Sequence, residues 1–367
     1  MIPTPSTFTV TKQSPRLDWQ VAPGTSVIIV NYNGGETLLN CLASLVQTIG
    51  PECEIIVVDN ASTDNSAEWV GLEFPQIVLI RSQTNLGFGG GNNLGAYYAQ
   101  GDYLIFLNPD TCVESGWLEA LLEPFATNPH IGLVTSKIVL AERPDQINTC
   151  GNAIHLTGIT LCRGMGAPRK AFDRAEAVSA VSGAAFAMRR SLFETLDGFD
   201  EEFFLYMEDT DLSWRAQLAG WQVWYTPQSI VRHCYRLRIT ARKVFYQERN
   251  RYLMLLKSMR WSTLVIMLPA LLLAEILTWG FVLLADRANI RNKIEAYCWI
   301  VANWRSILHK REISQRLRAL SDRSLLQRTG FAIDFGQAAT GMTALAAKLV
   351  FNPAFALLRG LTLSLVR

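Results

Sequence analysis

The sequence has few of the residues that build disulfide frameworks and metal clusters. Its seven cysteines are odd in number and scattered, no C-x-x-C pair occurs, and there are four histidines. This pattern argues against a disulfide or zinc scaffold and for a reducing, cytosolic setting. Residues 1–24 also lack an apolar core segment, so we expect a flexible N-terminal arm rather than a secretory signal.

Two common phosphate-binding signatures are also absent. The Gly-rich stretch NLGFGGGNNLG at residues 85–95 does not follow the first predicted strand as a G-x-G-x-x-G fingerprint would, and it has no Lys-Ser/Thr pair. Its glycines are predicted to let the backbone approach a ligand closely. The alternative is a flexible surface turn.

The most informative stretch that is present is YLIFLNPDT at residues 103–111. Its first five residues are apolar and favour a strand that is buried on both faces. Asn108, Pro109 and Asp110 then end the strand, because proline cannot donate to a sheet ladder. Asp110 would therefore stand where α/β sheets bind ligands, and could hold a divalent cation that holds a diphosphate. Alternatively, Asp110 merely caps the next helix.

Strand and helix patterns alternate along the chain, which predicts a doubly wound, mostly parallel α/β sheet. Asn31 and Asp59 end the first two strands and would share an edge with Asp110. Strands are predicted at 26–31, 54–58, 77–80, 103–107, 131–139, 178–188 and 221–226. Helices are predicted at 36–47, 115–126, 189–196 and 212–219, and two further helices end near residues 72 and 100.

A second acidic group follows in GFDEEFFLYMEDTDLSWR at residues 198–215. Glu208, Asp209 and Asp211 precede a predicted helix, whose dipole favours ionised carboxylates. One of them could accept a proton from a substrate hydroxyl; the alternative is N-capping with solvated charge. His233 is either structural or a metal ligand.

The C-terminal third combines basic and apolar segments. Nine Lys or Arg residues and one acid, Glu248, lie between Arg232 and Arg260, and the 25 residues Trp261–Ala285 then carry one charge. At about 1.5 Å per residue this helix could span a bilayer of roughly 30 Å. Basic flanks on both sides conflict with the positive-inside rule, which favours a helix in the membrane plane over a span. A buried hairpin in a soluble protein is the third possibility.

Five motifs in this order resemble family 2 glycosyltransferases of the GT-A fold, in particular the bacterial rhamnosyltransferase-like branch. They are SVIIVNYNGGE, VVDNASTD, NLGFGGGNNLG, FLNPDT and GFDEEFFLYMEDTDLSWR, and the resemblance covers residues 25–260. It implies an inverting, metal-dependent transfer of a sugar, with dTDP-rhamnose favoured as donor and a UDP-sugar second. The expected cation is Mg²⁺ or Mn²⁺, and the expected acceptor is a glycan or lipid-linked glycan of the cell envelope.

The resemblance also implies residue roles. One departure is that the family's Asp-x-Asp is Asn108-Pro109-Asp110 here, which leaves one carboxylate for the cation. The implied nucleotide-sugar contacts are Asn31, Tyr32, Asp59, Asn85, Gly87, Asn93, Asn108 and Asp110; the metal ligands are Asp110 and His233; the base is Asp209, supported by Glu208 and Asp211.

The predicted organisation is an arm at 1–24, a catalytic domain at 25–250 and a helical, membrane-associated region at 251–367. We expect attachment to the cytoplasmic face of the plasma membrane, and no nucleic-acid partner despite the interleaved Arg and Trp residues. Two other functions stay open: a nucleotide-sugar binding protein without turnover, and a nucleotidyltransferase. The latter should have a basic, Gly-rich signature near the first strand, where residues 31–36 carry no Lys or Arg.

Overall fold

A mixed β-sheet forms the centre of the N-terminal two thirds. The computed structural model describes residues 8–11, 24–50, 52–235, 241–337 and 341–366. The strands are β1 (Phe8–Thr11), β2 (Thr25–Asn31), β3 (Cys53–Asn60), β4 (Val78–Ser82), β5 (Tyr103–Leu107), β6 (Thr111–Val113), β7 (Ile131–Leu140), β8 (Ile147–Thr149), β9 (Asn152–Ile154), β10 (Thr160–Cys162), β11 (Glu176–Ala177), β12 (Ala185–Arg189) and β13 (Gln222–His233).

The strand order confirms the predicted α/β sheet and places β5 near its middle. The order is β1-β4-β3-β2-β5-β12-β7-β13-β11, with β6 added beside β13 and β8 beside β7. Strands β2 to β5 are mutually parallel, β12 runs antiparallel to β5 and β7, and β13 is parallel to β7. The carboxyl ends of β2, β3 and β5 therefore meet at one edge.

Helices cover both faces of the sheet and then continue as a C-terminal bundle. Helices that follow β2 and β6 pack on one face, and those that follow β4 and β12 pack on the other. The helices are α1 (Gly35–Thr48), α2 (Ser66–Glu73), α3 (Gly87–Tyr98), α4 (Trp117–Thr127), α5 (Arg190–Thr195), α6 (Glu208–Leu218), α7 (Ala241–Ser258), α8 (Trp261–Ala285), α9 (Ile290–Ala302), α10 (Trp304–Arg316), α11 (Asp322–Gln327) and α12 (Gly341–Leu365).

Three predicted segments differ from the structure. β1 lies inside the predicted flexible arm and pairs with β4; residues 1–7 and 12–23 lie outside the described part of the chain. The Gly-rich stretch is not a loop, since α3 begins at Gly87. The predicted strand 178–188 shortens to β12, because residues 178–184 leave the sheet to approach α6.

The glycines of α3 serve packing against the sheet. A Cβ on Gly91 would lie 2.7 Å from Val30 Cγ1, and one on Gly95 would collide with Ile28. Both contacts are with β2, so these two glycines bring the helix close to the strand. The expected close approach of the glycines to a ligand is therefore not what the structure shows at these two positions.

The C-terminal bundle is built directly onto the sheet domain. Trp214 and Leu218 of α6 share one hydrophobic core with Met254, Met267 and Ile307 of α7, α8 and α10. The predicted boundary between residues 250 and 251 falls within α7. Helix α7 thus belongs to the bundle while it also contacts the loop that leads into α6.

Candidate active site

The turns after β2 and β3 are held together at the sheet edge. Asn31 and Asp59 are paired in register, and the Asn31 amide donates to Asp59 Oδ1 at 3.1 Å and to Ser66 Oγ at 2.8 Å. Asn31 is fully buried and holds the two turns together, and its contact with a nucleotide-sugar stays a prediction. The neighbouring Tyr32 is 53% exposed and free to stack on a base.

The turn after β4 is fixed by an asparagine that sequence reasoning missed. Asn60 is buried; its amide donates to Asn85 Oδ1 at 3.1 Å and to the Gly87 carbonyl at 3.0 Å. Gly87 has φ +73°, and a Cβ there would collide with the Phe204 carbonyl. Asn85 and Gly87 therefore lie beside the 204–207 loop at the same edge as Asp59.

Asn93 lies away from this edge. Its amide donates to the Phe199 carbonyl at 2.9 Å, and its carbonyl oxygen accepts the Phe199 N–H at 2.9 Å. It lines a separate cavity of about 680 Å³ together with Arg190 and Lys310. Both ends of the Asn93 amide are held by the Phe199 backbone, and its contact with a nucleotide stays a prediction.

The Asn108–Asp110 turn brings a carboxylate and a histidine together. Asp110 Oδ1 lies 3.2 Å from His233 Nε2, and the Asp110 carbonyl accepts the Cys234 N–H at 2.9 Å. His233 Nδ1 donates to Asn148 Oδ1 at 2.9 Å, which fixes the ring and directs Nε2 at Asp110. The two predicted metal ligands are thus adjacent, although β13 is far from β5 in sequence.

These two residues fit a divalent cation. Ligands about 2.1 Å from an octahedral Mg²⁺ or Mn²⁺ lie roughly 3.0 Å apart when they are neighbours, close to the 3.2 Å between Asp110 Oδ1 and His233 Nε2. Within the described residues no cluster of three or more His, Cys, Asp or Glu side chains forms a cation site. Other ligands would come from the substrate diphosphate and water.

Asp209 lies in a cradle of hydrogen-bond donors at the start of α6. Its Oδ2 accepts the Gly183 N–H at 2.7 Å and the Asn152 amide at 3.1 Å, while its Oδ1 accepts the Thr210 N–H at 2.6 Å. Burial raises the pKa of Asp209, and these donors oppose that rise. Burial outweighs these donors, so the pKa of Asp209 stays above its ordinary value, which makes the carboxylate a stronger proton acceptor.

The two acidic features meet through one short turn. The Asn108 N–H donates to the Ala184 carbonyl at 3.0 Å, and the adjacent Gly183 N–H binds Asp209. A Cβ on Gly183 would lie 3.4 Å from Asp209 Oδ2. The Asn108–Asp110 turn and Asp209 are consequently neighbours, separated by residues 183–184.

Glu208 differs chemically from Asp209. Burial, followed by the charge of Asp209, raises the pKa of Glu208 to about 8. Its Oε2 is buried and has no hydrogen-bond partner within the described part of the protein. Glu208 is therefore mostly protonated at pH 7, so that it adds little negative charge beside Asp209.

Asp211 does not belong to this site. It is fully buried, and its carboxylate pairs with Arg215 at 2.8 Å and with Lys257 at 3.0 Å. Lys257 also pairs with Asp200 at 2.5 Å. The predicted catalytic support from Asp211 is replaced by a structural ion cluster that ties α6 to α7, because two residues along a helix rotate the side chain by about 200° away from that of Asp209.

The loop before Glu208 is backbone-strained and braced by α7. Phe204, Tyr206 and Met207 have φ values of +58°, +68° and +67°, an arrangement that costs energy for residues other than glycine. The Asn250 amide lies 2.7–3.0 Å from the carbonyl oxygens of residues 203, 205 and 206. From the other side, the Phe88 N–H donates to the Phe204 carbonyl at 2.7 Å.

Sequence reasoning found the acids but missed the groups that hold them. Asn152 lies outside every predicted strand and helix, and nothing local marks it. Gly183 stands within the small-residue run VSGAAFAM, which was predicted as part of a strand. Asn250 follows four residues after Tyr246 on a helix with no motif of its own.

Comparison with known proteins agrees with this arrangement. The family model described as "Glycosyl transferase family 2" matches residues 26–197. The N-acetylglucosaminyl-diphospho-decaprenol L-rhamnosyltransferase of Mycobacterium tuberculosis is 30% identical, over 56% of this chain and 75% of that protein. The poly-beta-1,6-N-acetyl-D-glucosamine synthase of Staphylococcus epidermidis is 25% identical, over 58% and 50%.

Solved structures show the same fold. S. aureus TarS 1-349 in complex with UDP-GlcNAc has a TM-score of 0.52 at 17% identity and covers 93% of this chain and 88% of that one. GalNAc-T7 with UDP, GalNAc and Mn²⁺ has a TM-score of 0.50 at 22% identity, over 59% and 44%. The chain has the GT-A fold and belongs to glycosyltransferase family 2, as the five motifs predicted.

The raised pKa of Glu208 predicts a pH-dependent penalty on folding. The unfolded chain ionises Glu208 near its ordinary pKa of 4.5, whereas the folded chain does so only at about 8. Wild-type stability should therefore fall relative to Glu208→Gln as pH rises from about 4.5 to about 8, by up to a few kcal/mol. Urea unfolding at pH 5 and pH 8 measures this difference.

Glu312→Gln is the matched control, because Glu312 is 60% exposed on α10. Its effect on the free energy of unfolding should be small at both pH values. A Glu208→Gln effect that is the same at pH 5 and pH 8 would contradict a protonated Glu208.

Asn250 is predicted to position the 204–207 loop. The Asn250→Asp substitution places a carboxylate against three carbonyl oxygens, which repel it. Turnover should drop about 10- to 100-fold, because Asp209 shifts with the loop. Asn289→Asp, at a buried asparagine in the same bundle, is the control. The measurements are initial rates and melting temperatures of both variants. If the two variants lose the same stability and keep the same turnover, Asn250 has a purely structural role.

Proposed function

We propose that this protein transfers a sugar from a nucleoside-diphosphate donor to a glycan or lipid-linked glycan acceptor in cell-envelope polysaccharide synthesis, with inversion at the anomeric carbon. The observation that carries the proposal is the Asp209 cradle next to the Asn108–Asp110 turn. In this proposal the Asp209 carboxylate accepts a proton, and the Asp110 carboxylate binds the cation of the diphosphate.

The chemistry is a single displacement. Asp209 takes the proton of an acceptor hydroxyl while that oxygen bonds to the anomeric carbon, and the bond from the anomeric carbon to the diphosphate breaks on the opposite face. The electron pair of the broken bond leaves with the nucleoside diphosphate. The donors from Gly183, Asn152 and Thr210 hold the carboxylate in place, and neutral Glu208 avoids a second negative charge beside it.

A divalent cation, Mg²⁺ or Mn²⁺, would be held by Asp110 and His233. When bound, it would neutralise charge on the departing diphosphate. His233 is prepared for this role because Asn148 fixes its ring, and Asp110 is prepared because Cys234 anchors its backbone. Support for the cation comes from this pairing and from its fit to neighbouring coordination positions.

The donor is proposed to be dTDP-rhamnose, with a UDP-sugar as the second candidate. The rhamnosyl assignment draws on the name of the 30% identical relative and on the Asn108-Pro109-Asp110 motif. Exposed Tyr32 beside Asp59 offers a stacking platform that would accept thymine or uracil equally. The nucleotide site therefore supports the class of donor, and the relative supports the particular sugar.

A lipid-linked acceptor and a location on the cytoplasmic face of the plasma membrane complete the proposal. The relative's name specifies an acceptor on a decaprenol diphosphate. Of the described helices, Trp261–Leu284 is long and apolar enough, by length and composition, to cross a membrane. A protein attached to the bilayer would meet such an acceptor without extracting it.

Asp209→Asn tests the base assignment. The variant keeps the shape of the side chain but cannot accept the proton, so turnover should fall about 10²- to 10⁴-fold, while donor binding is kept. Measurements are initial rates of nucleotide release in the presence of acceptor and calorimetric titration with the donor.

Asp197→Asn is the control, since Asp197 is exposed and its φ of +59° suits asparagine equally well. Near-normal turnover of Asp209→Asn would remove Asp209 as the base. Donor binding by the wild type without any turnover would instead favour a nucleotide-sugar binding protein.

A further inference from the structure

Helices α8 and α12 lie side by side and share an apolar outer surface. On α8, Val265, Leu268, Leu272 and Ile276 follow one another at three- and four-residue spacing and are 49–64% exposed. This spacing keeps all four on one side of the helix. The side chains are large and apolar, so they form a continuous ridge facing away from the protein.

Helix α12 adds a second ridge. Leu357, Leu361 and Leu365 follow one another at four-residue spacing and are 51–66% exposed. The two helices share one hydrophobic cluster, in which Ala270 and Ala274 of α8 meet Phe355 of α12. We call the two ridges together the paired apolar surface; 25 residues of helix make it about 37 Å long.

Helix α8 is anchored to the protein along its opposite side. Leu264, Met267 and Leu271 belong to the core that includes α6 and α7. Its single charge, Glu275, accepts hydrogen bonds from Arg251 of α7 at 2.5 Å and from Tyr297 of α9 at 2.5 Å. A helix held by three neighbours along one side cannot cross a bilayer alone, and it can lie in the plane of one.

Charges around the paired apolar surface favour an anionic membrane. Four basic residues near these helices are exposed: Arg260 and Arg287 at the two ends of α8, Arg305 in the first turn of α10, and Lys348 on α12. In the described residues from 260 to 366, the exposed acids are Glu312 and Asp334. This excess of positive charge is complementary to anionic lipid headgroups.

Two tryptophans mark one end of the paired apolar surface. Trp261 and Trp304 are 45% and 40% exposed, and their rings lie 5.9 Å apart. The Arg311 guanidinium lies 4.1 Å from the Trp261 ring centre. Tryptophan and arginine at the edge of an apolar face are typical of helices at the headgroup level.

A β-hairpin connects this surface to the candidate base. Asn152 of β9 donates to Asp209, while Leu156, between β9 and β10, packs in the cluster of Ala274 and Phe355. The His155 ring lies 4.4 Å from the Phe355 ring in edge-to-face geometry. One hairpin therefore spans from the acceptor side of the cleft to the paired helices.

We propose that the paired apolar surface docks in the plane of an anionic bilayer leaflet and thereby sets Asp209 at the height of a lipid-linked acceptor. The docking itself follows from α8, α12 and their basic rim. The link to the acceptor rests on the proposed function. Helix α8 enters the headgroup and upper acyl region without crossing the membrane.

Vesicle flotation of the full-length, detergent-purified protein tests the docking. The protein is expected to float with vesicles of phosphatidylcholine and phosphatidylglycerol, and more weakly with phosphatidylcholine alone. Leu272→Glu combined with Leu357→Glu should weaken binding to the anionic vesicles about tenfold or more. Leu72→Glu is the control, because Leu72 is 79% exposed on α2, outside the surface, and should bind as wild type does.

The remaining outcomes separate the alternatives. Unchanged flotation of the double variant would overturn the proposal. Resistance of the bound wild type to alkaline carbonate extraction would also overturn it, because such resistance indicates a spanning helix. The wild type could instead sediment as a dimer and fail to bind vesicles, while the double variant sediments as a monomer. That result would overturn membrane docking and assign the surface to a second copy of the chain. Docking without any sugar transfer would contradict the proposed function and leave the docking intact.

Discussion

The hydrogen bonds that hold the Asp209 carboxylate are the interactions on which the rest of the site depends. They join three parts of the chain that are distant in sequence: the turn at Gly183, the hairpin at Asn152 and the first turn of α6. A buried carboxylate without such donors would take up a proton. These donors oppose the rise that burial causes in the pKa of Asp209, and burial raises the pKa of the neighbouring Glu208 to about 8.

The C-terminal bundle is part of the catalytic arrangement rather than an appendage to it. Asn250 and Lys257 of α7 reach the 204–207 loop and Asp211, so the strained backbone before Asp209 depends on a helix from the bundle. The same bundle carries the paired apolar surface on α8 and α12. Attachment to a membrane and alignment of the base would thus share one structural element.

How far the sequence predicts this structure varies with the kind of residue. Apolar runs and turn residues were sufficient for the parallel strands and for the edge at Asp59 and Asp110, because burial and chain breaking are local signals. The acids at the start of α6 were also evident. The ion pair of Asp211 could not be predicted because its partner, Lys257, lies 46 residues further along, and neither could the contact of Asn93 with Phe199, 106 residues away.

Groups that act through long-range contacts could not be predicted from local pattern. Asn152, Gly183 and Asn250 touch the site only after the sheet and the bundle have assembled. A helix in the membrane plane was predicted for residues 261–285 from its basic flanks, whereas its packing beside α12 and the contacts of Glu275 with Arg251 and Tyr297 could not be predicted.

A cation-assisted nucleotide-sugar site at Asp110 would make the thermal stability of the detergent-solubilised protein depend on both the sugar donor and the cation. A ligand that binds the folded state raises the melting temperature. We predict a rise with dTDP-rhamnose in the presence of Mn²⁺ or Mg²⁺ that disappears with chelator and in Asp110→Asn. A rise with UDP-sugars instead would keep the site and replace the rhamnosyl donor. An unchanged melting temperature with every nucleotide-sugar, with and without cation, would contradict the account.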